Sequence, residues 1–96
     1  MGTSGTHILD KPVCAPSAVM YSNGEAQVIE LEVPDIIAGS ISVCTEGAEV
    51  IFRGKSPDRD FYRRIAMRYP AQTTELRTAL HDGKFQIRVP NPTARA

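Results

Sequence analysis

The sequence contains no tryptophan, only two cysteines and no long hydrophobic stretch. Cys14 and Cys44 are too few for a disulfide framework, and we expect both thiols to be reduced. No apolar run approaches the roughly 18 residues that a transmembrane helix needs. The N-terminus, MGTSGTHILDKP, has no basic start followed by an apolar block, as a secretory signal peptide would have. We therefore expect a cytoplasmic protein without a membrane partner.

Recognisable catalytic motifs are also missing. The sequence has no Gly-x-Ser-x-Gly elbow, no glycine-rich phosphate loop and no His-Glu-x-x-His motif. His81 and Asp82 are adjacent, but they fall at a predicted hairpin tip, where solvated turn residues are the simpler interpretation. Glu30 and Glu32 share one side of a strand, as carboxylates on the outer face of many sheets do. We expect no enzyme activity, no catalytic residue and no cofactor.

One set of residues deserves consideration as a metal site, namely His7, Asp10 and Cys14. They belong to an irregular N-terminal segment, and the sequence offers no fourth ligand near them. Structural zinc sites almost always use four ligands. We therefore predict that the protein has no metal site.

The charged residues are unevenly distributed, although the net charge is zero. Residues 1–50 contain one basic and seven acidic residues, whereas residues 51–96 contain ten basic and four acidic residues. Halves of opposite sign can attract each other within one domain or across a dimer. The alternative is a nucleic-acid surface of basic and aromatic side chains, formed by Arg59, Arg63, Arg64, Arg68, Phe61 and Tyr62. A neutral chain with an acidic first half disfavours polyanion binding, so we expect no nucleic-acid partner.

Short segments in which apolar and polar residues alternate recur along the chain, and this period of two indicates strands with one buried face. The segments are residues 18–22, 26–33, 40–46, 49–55, 61–69, 76–80 and 84–90. Residues 61–69 are the least distinctive, since DFYRRIAM is also compatible with the start of a helix. Asp82-Gly83 separates the last two segments and suits the positive backbone angles of a tight hairpin. About seven strands predict an all-β fold, an antiparallel immunoglobulin-like β-sandwich.

Four motifs, in order along the chain, resemble the α-crystallin domain of the small heat-shock proteins. VPD at 33–35 stands where that family has a Leu-Pro-Gly corner, and Val50, Phe52 and Gly54 match its Leu-x-Ile-x-Gly strand. FYRRIAM is similar to the Tyr-Tyr-Arg-Glu-Ile segment of its archaeal-type members. TALHDGKFQIRVP is similar to its last two strands, an Asn-Gly hairpin followed by alternating apolar residues and a proline. The resemblance covers residues 18–90.

The resemblance implies three parts: a flexible N-terminal arm of residues 1–17, an α-crystallin-like β-sandwich domain of residues 18–90, and a short tail of residues 91–96. Two features of the family are missing. NPTARA lacks the Ile-x-Ile motif with which members assemble into large oligomers. Only KSPDRD stands where many bacterial members carry a long loop that exchanges a strand between subunits.

The resemblance also implies a function, that of an ATP-independent chaperone. Such a protein binds exposed apolar or extended segments of unfolded or partly folded clients, and we expect a homodimer. The family's groove corresponds here to the space between SISVCT and ELRTALH, with Ile41, Val43, Leu76 and Leu80 as lining residues. Each of the four could instead belong to the ordinary core, since inward apolar residues usually just pack.

Arg63 and Arg64 resemble the arginines of the family's dimer interface. The alternative is a solvated strand face on which they pair with acidic residues of the first half. A second function also stays open, because the related CS domain has the same architecture, usually lacks both arms and serves as an adaptor that docks on one folded partner. Fold similarity alone does not distinguish a chaperone from an adaptor.

Overall fold

The computed structural model describes residues 11–91, in which two four-stranded sheets pack face to face. The eight strands are Val13–Cys14 (β1), Ala18–Ser22 (β2), Ala26–Glu32 (β3), Ser42–Glu46 (β4), Glu49–Lys55 (β5), Asp60–Ala66 (β6), Arg77–His81 (β7) and Lys84–Pro90 (β8). Two single turns of 3₁₀ helix, Ala38–Ser40 and Thr73–Glu75, precede β4 and β7. The predicted all-β sandwich is confirmed.

Two edge strands, one from each sheet, lie beside each other. One sheet has the order β1-β6-β5-β4, and the other has the order β2-β3-β8-β7. All neighbouring strands are antiparallel except β1 and β6, which are parallel. Strands β4 and β7 are edge strands of different sheets, and side chains of both line one cavity.

The core lies between the sheets and follows the alternation of the sequence. Its side chains are almost inaccessible to water, and they include Ile29, Leu31, Val33, Val50, Phe52, Phe61, Ile65, Phe85, Ile87 and Val89. Phe52 of one sheet and Phe85 of the other have ring centroids 5.2 Å apart, within the range of favourable aromatic pairs. Burying a side chain of this size stabilises the fold by roughly 1.5–3 kcal/mol, so the alternating positions carry most of the stability.

The hairpin between β7 and β8 turns at Asp82 and Gly83, as predicted. Both residues have positive φ, 48° and 75°, which is the requirement of a two-residue turn whose twist matches the flanking strands. The Gly83 carbonyl accepts a hydrogen bond of 2.7 Å from the Val33 amide. The turn is thereby attached to the segment that follows β3, next to Pro34.

Strand β6 ends earlier than the sequence predicts. Alternation favoured a strand reaching Tyr69, with that side chain on the same side as Phe61 and Ile65, but β6 stops at Ala66 and Tyr69 is 41% exposed. The reason lies in the partner strand: Ala66 is opposite Glu49, the first residue of β5, and the chain turns away at Gly47. The Met67 amide still bonds to the Ala48 carbonyl at 2.7 Å, but no described strand pairs with residues 68 and 69.

The N-terminal boundary also differs from the prediction. Val13 and Cys14, expected in an irregular arm, form β1 beside β6, and Asp60 donates its amide to the Pro12 carbonyl at 2.8 Å. Cys14 packs partly against the core, and both Cys14 and Cys44 are free thiols. Residues 1–10 of the predicted arm and residues 92–96 of the predicted tail lie outside the described residues.

Candidate binding groove

An open groove runs between the edge strands β4 and β7. Its volume is about 500 Å³. The residues that line it are Ala38, Ile41, Val43, Thr73, Leu76, Thr78, Ala79, Leu80 and Phe85. All four residues predicted from the sequence to form a groove therefore lie along one cavity, which we call the β4–β7 groove.

The β4 side of the groove is positioned by the 3₁₀ turn that precedes the strand. Ser40 ends this turn, and its hydroxyl donates to the Ile37 carbonyl at 2.6 Å and accepts from the Lys55 amide at 2.8 Å. The turn is thus fastened to the end of β5. Ile41 follows directly, and Val43 lies opposite the fully buried Phe52. Both are half-buried, so each contacts the core with one side and the groove with the other.

The β7 side is more exposed. Leu76 is half-buried and packs against the core, whereas Leu80 is 37% exposed and lies opposite Phe85 in the hairpin. Phe85 is only 4% exposed. It separates the groove from the centre of the sandwich, so that the groove is shallow and its walls are continuous with the core. The sequence left open whether these residues line a groove or belong to the core. Ile41, Val43 and Leu76 do both, since they contact the core and also line the groove.

The backbone edges on the two sides differ. On β4, the amide of Thr45 is satisfied by the Thr73 hydroxyl at 2.9 Å, which lies in the turn before β7. The outer edge of β7 pairs with no strand among residues 11–91. An edge of this kind offers amides and carbonyls to an extended segment. The groove therefore combines apolar contacts with backbone hydrogen-bonding groups on its β7 side.

Sequence reasoning missed five of the lining residues: Ala38, Thr73, Thr78, Ala79 and Phe85. Phe85 was identified only as an inward residue of its strand. Thr73 lines the groove because a turn of 3₁₀ helix brings it against β4. No periodicity in the sequence indicates such a turn. Thr78 had a usable signal, because it alternates with the polar residues of β7 in step with Leu76 and Leu80.

Arg63 and Arg64, the predicted dimer arginines, are both engaged within the chain. Arg63 is half-buried and donates to the Pro16 carbonyl at 3.0 Å, while its buried Nε has no hydrogen-bond partner. Arg64 donates to the carboxylates of Glu46 and Glu49, each at 2.7 Å. These contacts correspond to the alternative that the sequence left open, in which the arginines pair with acidic residues of the first half. The interface itself stays a prediction.

The surroundings of Arg64 favour its charged form. Its contacts with the Tyr62 hydroxyl at 3.4 Å, and with the Glu46 and Glu49 carboxylates, raise the pKa of the guanidinium above its ordinary value. Arginine is charged at any physiological pH in either case. The network therefore orders the outer face of this sheet without forming a pH-sensitive group, and exposed ion pairs of this kind contribute little to stability.

The other candidate residues are separated from one another. Phe61 is 3% exposed and cannot serve as a stacking platform for a base. The Nε2 atom of His81 lies 3.1 Å from a carboxylate oxygen of Asp82 at the solvated hairpin tip. Glu30 accepts hydrogen bonds from Tyr21 and Gln86, as an outer-face residue. His7 and Asp10, considered as metal ligands with Cys14, lie outside the described residues.

Comparison with solved structures identifies the fold. The sandwich superimposes on hspA from Xanthomonas axonopodis with a TM-score of 0.73 at 19% identity, covering 82% of this chain and 95% of that one. Heat shock protein 16.0 from Schizosaccharomyces pombe gives 0.71 at 11% identity, with 94% and 82% covered. A small heat-shock protein from Xylella fastidiosa gives 0.67 at 16%, with 79% and 84% covered. The chain has the fold of the small heat-shock proteins.

The resemblance inferred from four short motifs is therefore confirmed at the level of the fold. No protein-family model matches the sequence, and no curated protein does either. Identities of 11–19% leave the arrangement of the strands as the shared property. Within residues 11–91, no helix has the length and apolar character needed to cross a membrane.

Proposed function

We propose that this protein is an ATP-independent chaperone that holds exposed apolar or extended segments of unfolded and partly folded proteins. The observation that carries the proposal is the β4–β7 groove, in which Ile41, Val43, Leu76 and Leu80 present partly exposed apolar surface along one cavity. The fold shared with small heat-shock proteins supports the same function. Binding needs no chemical step, so neither a catalytic group nor a cofactor has a part in it.

A client segment binds, in this proposal, through two kinds of contact. Its apolar side chains enter the cavity above Phe85, and each one that leaves water completely gains roughly 1.5–3 kcal/mol. Its backbone pairs with the outer edge of β7, which supplies affinity without regard to sequence. The combination suits a protein that must bind many clients, because it recognises apolar surface and extended backbone and does not require particular side chains.

The walls of the groove favour reversible binding. Ile41, Val43 and Leu76 already contact the core, so a client covers only the part of each side chain that remains exposed. Leu80 is the most exposed of the four. Leu80 therefore has the most surface to bury when a client binds, which makes it the best single position for a test.

The experiment measures aggregation of a heat-labile client, by light scattering, with and without the protein. We expect the wild type to suppress scattering at a near-stoichiometric ratio and Leu80→Glu to lose most of that effect, because an apolar segment that covers the carboxylate must remove its charge from water. Ile37→Glu is the matched control, since Ile37 is 51% exposed and does not line the groove. It should suppress scattering like the wild type.

Two outcomes contradict the proposal. Equal loss of suppression in Leu80→Glu and Ile37→Glu would place client binding outside the groove. Complete absence of suppression by the wild type would favour the other function considered from the sequence, an adaptor of the CS type that docks on one folded partner without holding unfolded chains.

A further inference from the structure

Strand β2 is an edge strand of five residues that carries no charge. It contains Ala18, Val19, Met20, Tyr21 and Ser22, none of them charged. The side chains of Val19, Met20 and Tyr21 are 58%, 47% and 45% exposed. Within residues 11–91, no strand pairs with its outer side. Natural proteins usually cover or charge such an edge, because it can pair with another chain.

The remaining edges of the sandwich are shorter, partly occupied or charged. β1 is two residues long. β4 has its Thr45 amide occupied by the Thr73 hydroxyl. β7 carries Arg77 and His81 and leads into Asp82. β2 is therefore the edge, among the described strands, that combines length, exposed apolar side chains and no charge.

The hydrogen bonds of β2 to β3 show which backbone groups are free. At the two ends of the pairing, the Ser17 carbonyl accepts from Glu32 and the Asn23 amide donates to Ala26. In an antiparallel pair, every second residue directs its amide and carbonyl toward the neighbouring strand. The backbone groups of Val19 and Tyr21 therefore also point toward β3. The amides and carbonyls of Ala18, Met20 and Ser22 point outward, which makes six groups arranged symmetrically about Met20.

We propose that β2 pairs with β2 of a second copy, antiparallel and with the two-fold axis at Met20. This register brings Ala18 opposite Ser22 of the second copy and Met20 opposite its own equivalent. All six outward groups of each strand are then bonded and none is left over. Val19 falls opposite Tyr21 of the second copy, a β-branched and aromatic pair of the kind that stabilises neighbouring strands.

The charges near the ends of β2 favour the same partner. The two-fold register carries the second copy's turn of residues 23–25 toward Pro16, whose carbonyl holds the Arg63 guanidinium. Glu25 in that turn is exposed, and its carboxylate has no ion pair among the described residues. An acidic turn of one copy thus approaches a basic end of the other, twice per dimer. This inference does not depend on chaperone activity.

The test is sedimentation of the full chain over a wide concentration range. We expect the wild type to form a dimer that dissociates on dilution, and Met20→Pro to stay monomeric at every concentration. Proline at this position removes an amide that faces away from β3, which edge strands tolerate. Met20→Ala keeps the amide and should dimerise, and circular dichroism checks that both variants fold.

A second measurement fixes the register even if Met20→Pro fails to fold. In a background with Cys14→Ser and Cys44→Ser, Met20→Cys should oxidise to a covalent dimer, since bonded antiparallel pairs lie about 5.5 Å apart at Cα, within disulfide reach. Val19→Cys should not, because its equivalents are displaced by roughly 7 Å along the strands. A monomeric wild type overturns the proposal, as does equal crosslinking of both variants or an unaffected dimer in Met20→Pro.

Discussion

Gly83 illustrates how much a single residue decides in this fold. Its φ of 75° lies in a region that L side chains adopt at a cost, and its carbonyl also holds the Val33 amide. A Cβ added at Gly83 would meet the Pro34 Cα at 3.5 Å, an ordinary contact. Substitution there consequently tests the backbone conformation alone, without a steric clash.

We expect Gly83→Ala to lower the free energy of unfolding by about 1–2 kcal/mol, the cost of a left-handed conformation for a residue with a Cβ. Urea denaturation measures the change. Gly39→Ala is the matched control, because Gly39 has no positive φ and no atom lies within 4 Å of an added Cβ. Equal stability of the two variants would contradict the turn geometry.

Ile51 shows where residue-level prediction stops. Alternation places it on the outer face of its sheet, beside Arg53, yet it is only 5% exposed. It lies between Cys44 and Arg64 in the register of the sheet. The aliphatic stems of long charged side chains shield apolar neighbours from water, and Arg64 is held in place by two carboxylates. A period of two indicates on which face of the sheet a side chain lies, whereas its burial depends on the side chains of the neighbouring strands.

At the scale of elements, the strands themselves were predictable and their ends were not. Seven alternating segments correspond to β2–β8, because one-sided burial imposes the period directly on the sequence. β6 ends at Ala66 because β5 provides no partner beyond Glu49, and that information lies in another part of the chain. β1 was missed for a similar reason, since a strand of two residues has no period to detect.

Arg63 and Arg64, adjacent on β6, make different contributions to that element. Arg63 ties β6 to the β1–β2 connection through the buried Pro16, so we expect Arg63→Ala to cost about 1–3 kcal/mol, the penalty for a buried acceptor that loses its donor. Arg64→Ala removes only exposed ion pairs, which contribute little, and should lower the stability less than Arg63→Ala does. Urea denaturation of both variants tests this, and a larger loss for Arg64→Ala would contradict it.

The same two variants address the interface predicted from the sequence. If Arg63 and Arg64 form a dimer contact, both substitutions should shift the sedimentation of the protein toward the monomer. If β2 forms the contact, Arg64→Ala should sediment like the wild type. Both arginine side chains already have hydrogen-bond partners within the chain. This supports the result expected for a β2 contact.

For the molecule as a whole, the groove is a consequence of how two sheets are stacked. The sequence identified four of its apolar residues through resemblance to a family, but their spacing along the chain does not indicate that β4 and β7 meet. That proximity depends on how the sheets are stacked, because β4 and β7 are edge strands of different sheets that line one cavity. The turn that brings Thr73 to β4 adds a wall that has no signature in the sequence.

The most direct measurement is a methyl NMR titration of the full chain with an unfolded client polypeptide. We expect shifted or broadened methyl signals from Ile41, Val43, Leu76 and Leu80. Ile37 and Val13, which are exposed and apolar but lie outside the groove, should remain unchanged. Signals that change only at Ile37, Val13 or other surfaces, with the four groove methyls unaffected, would contradict it.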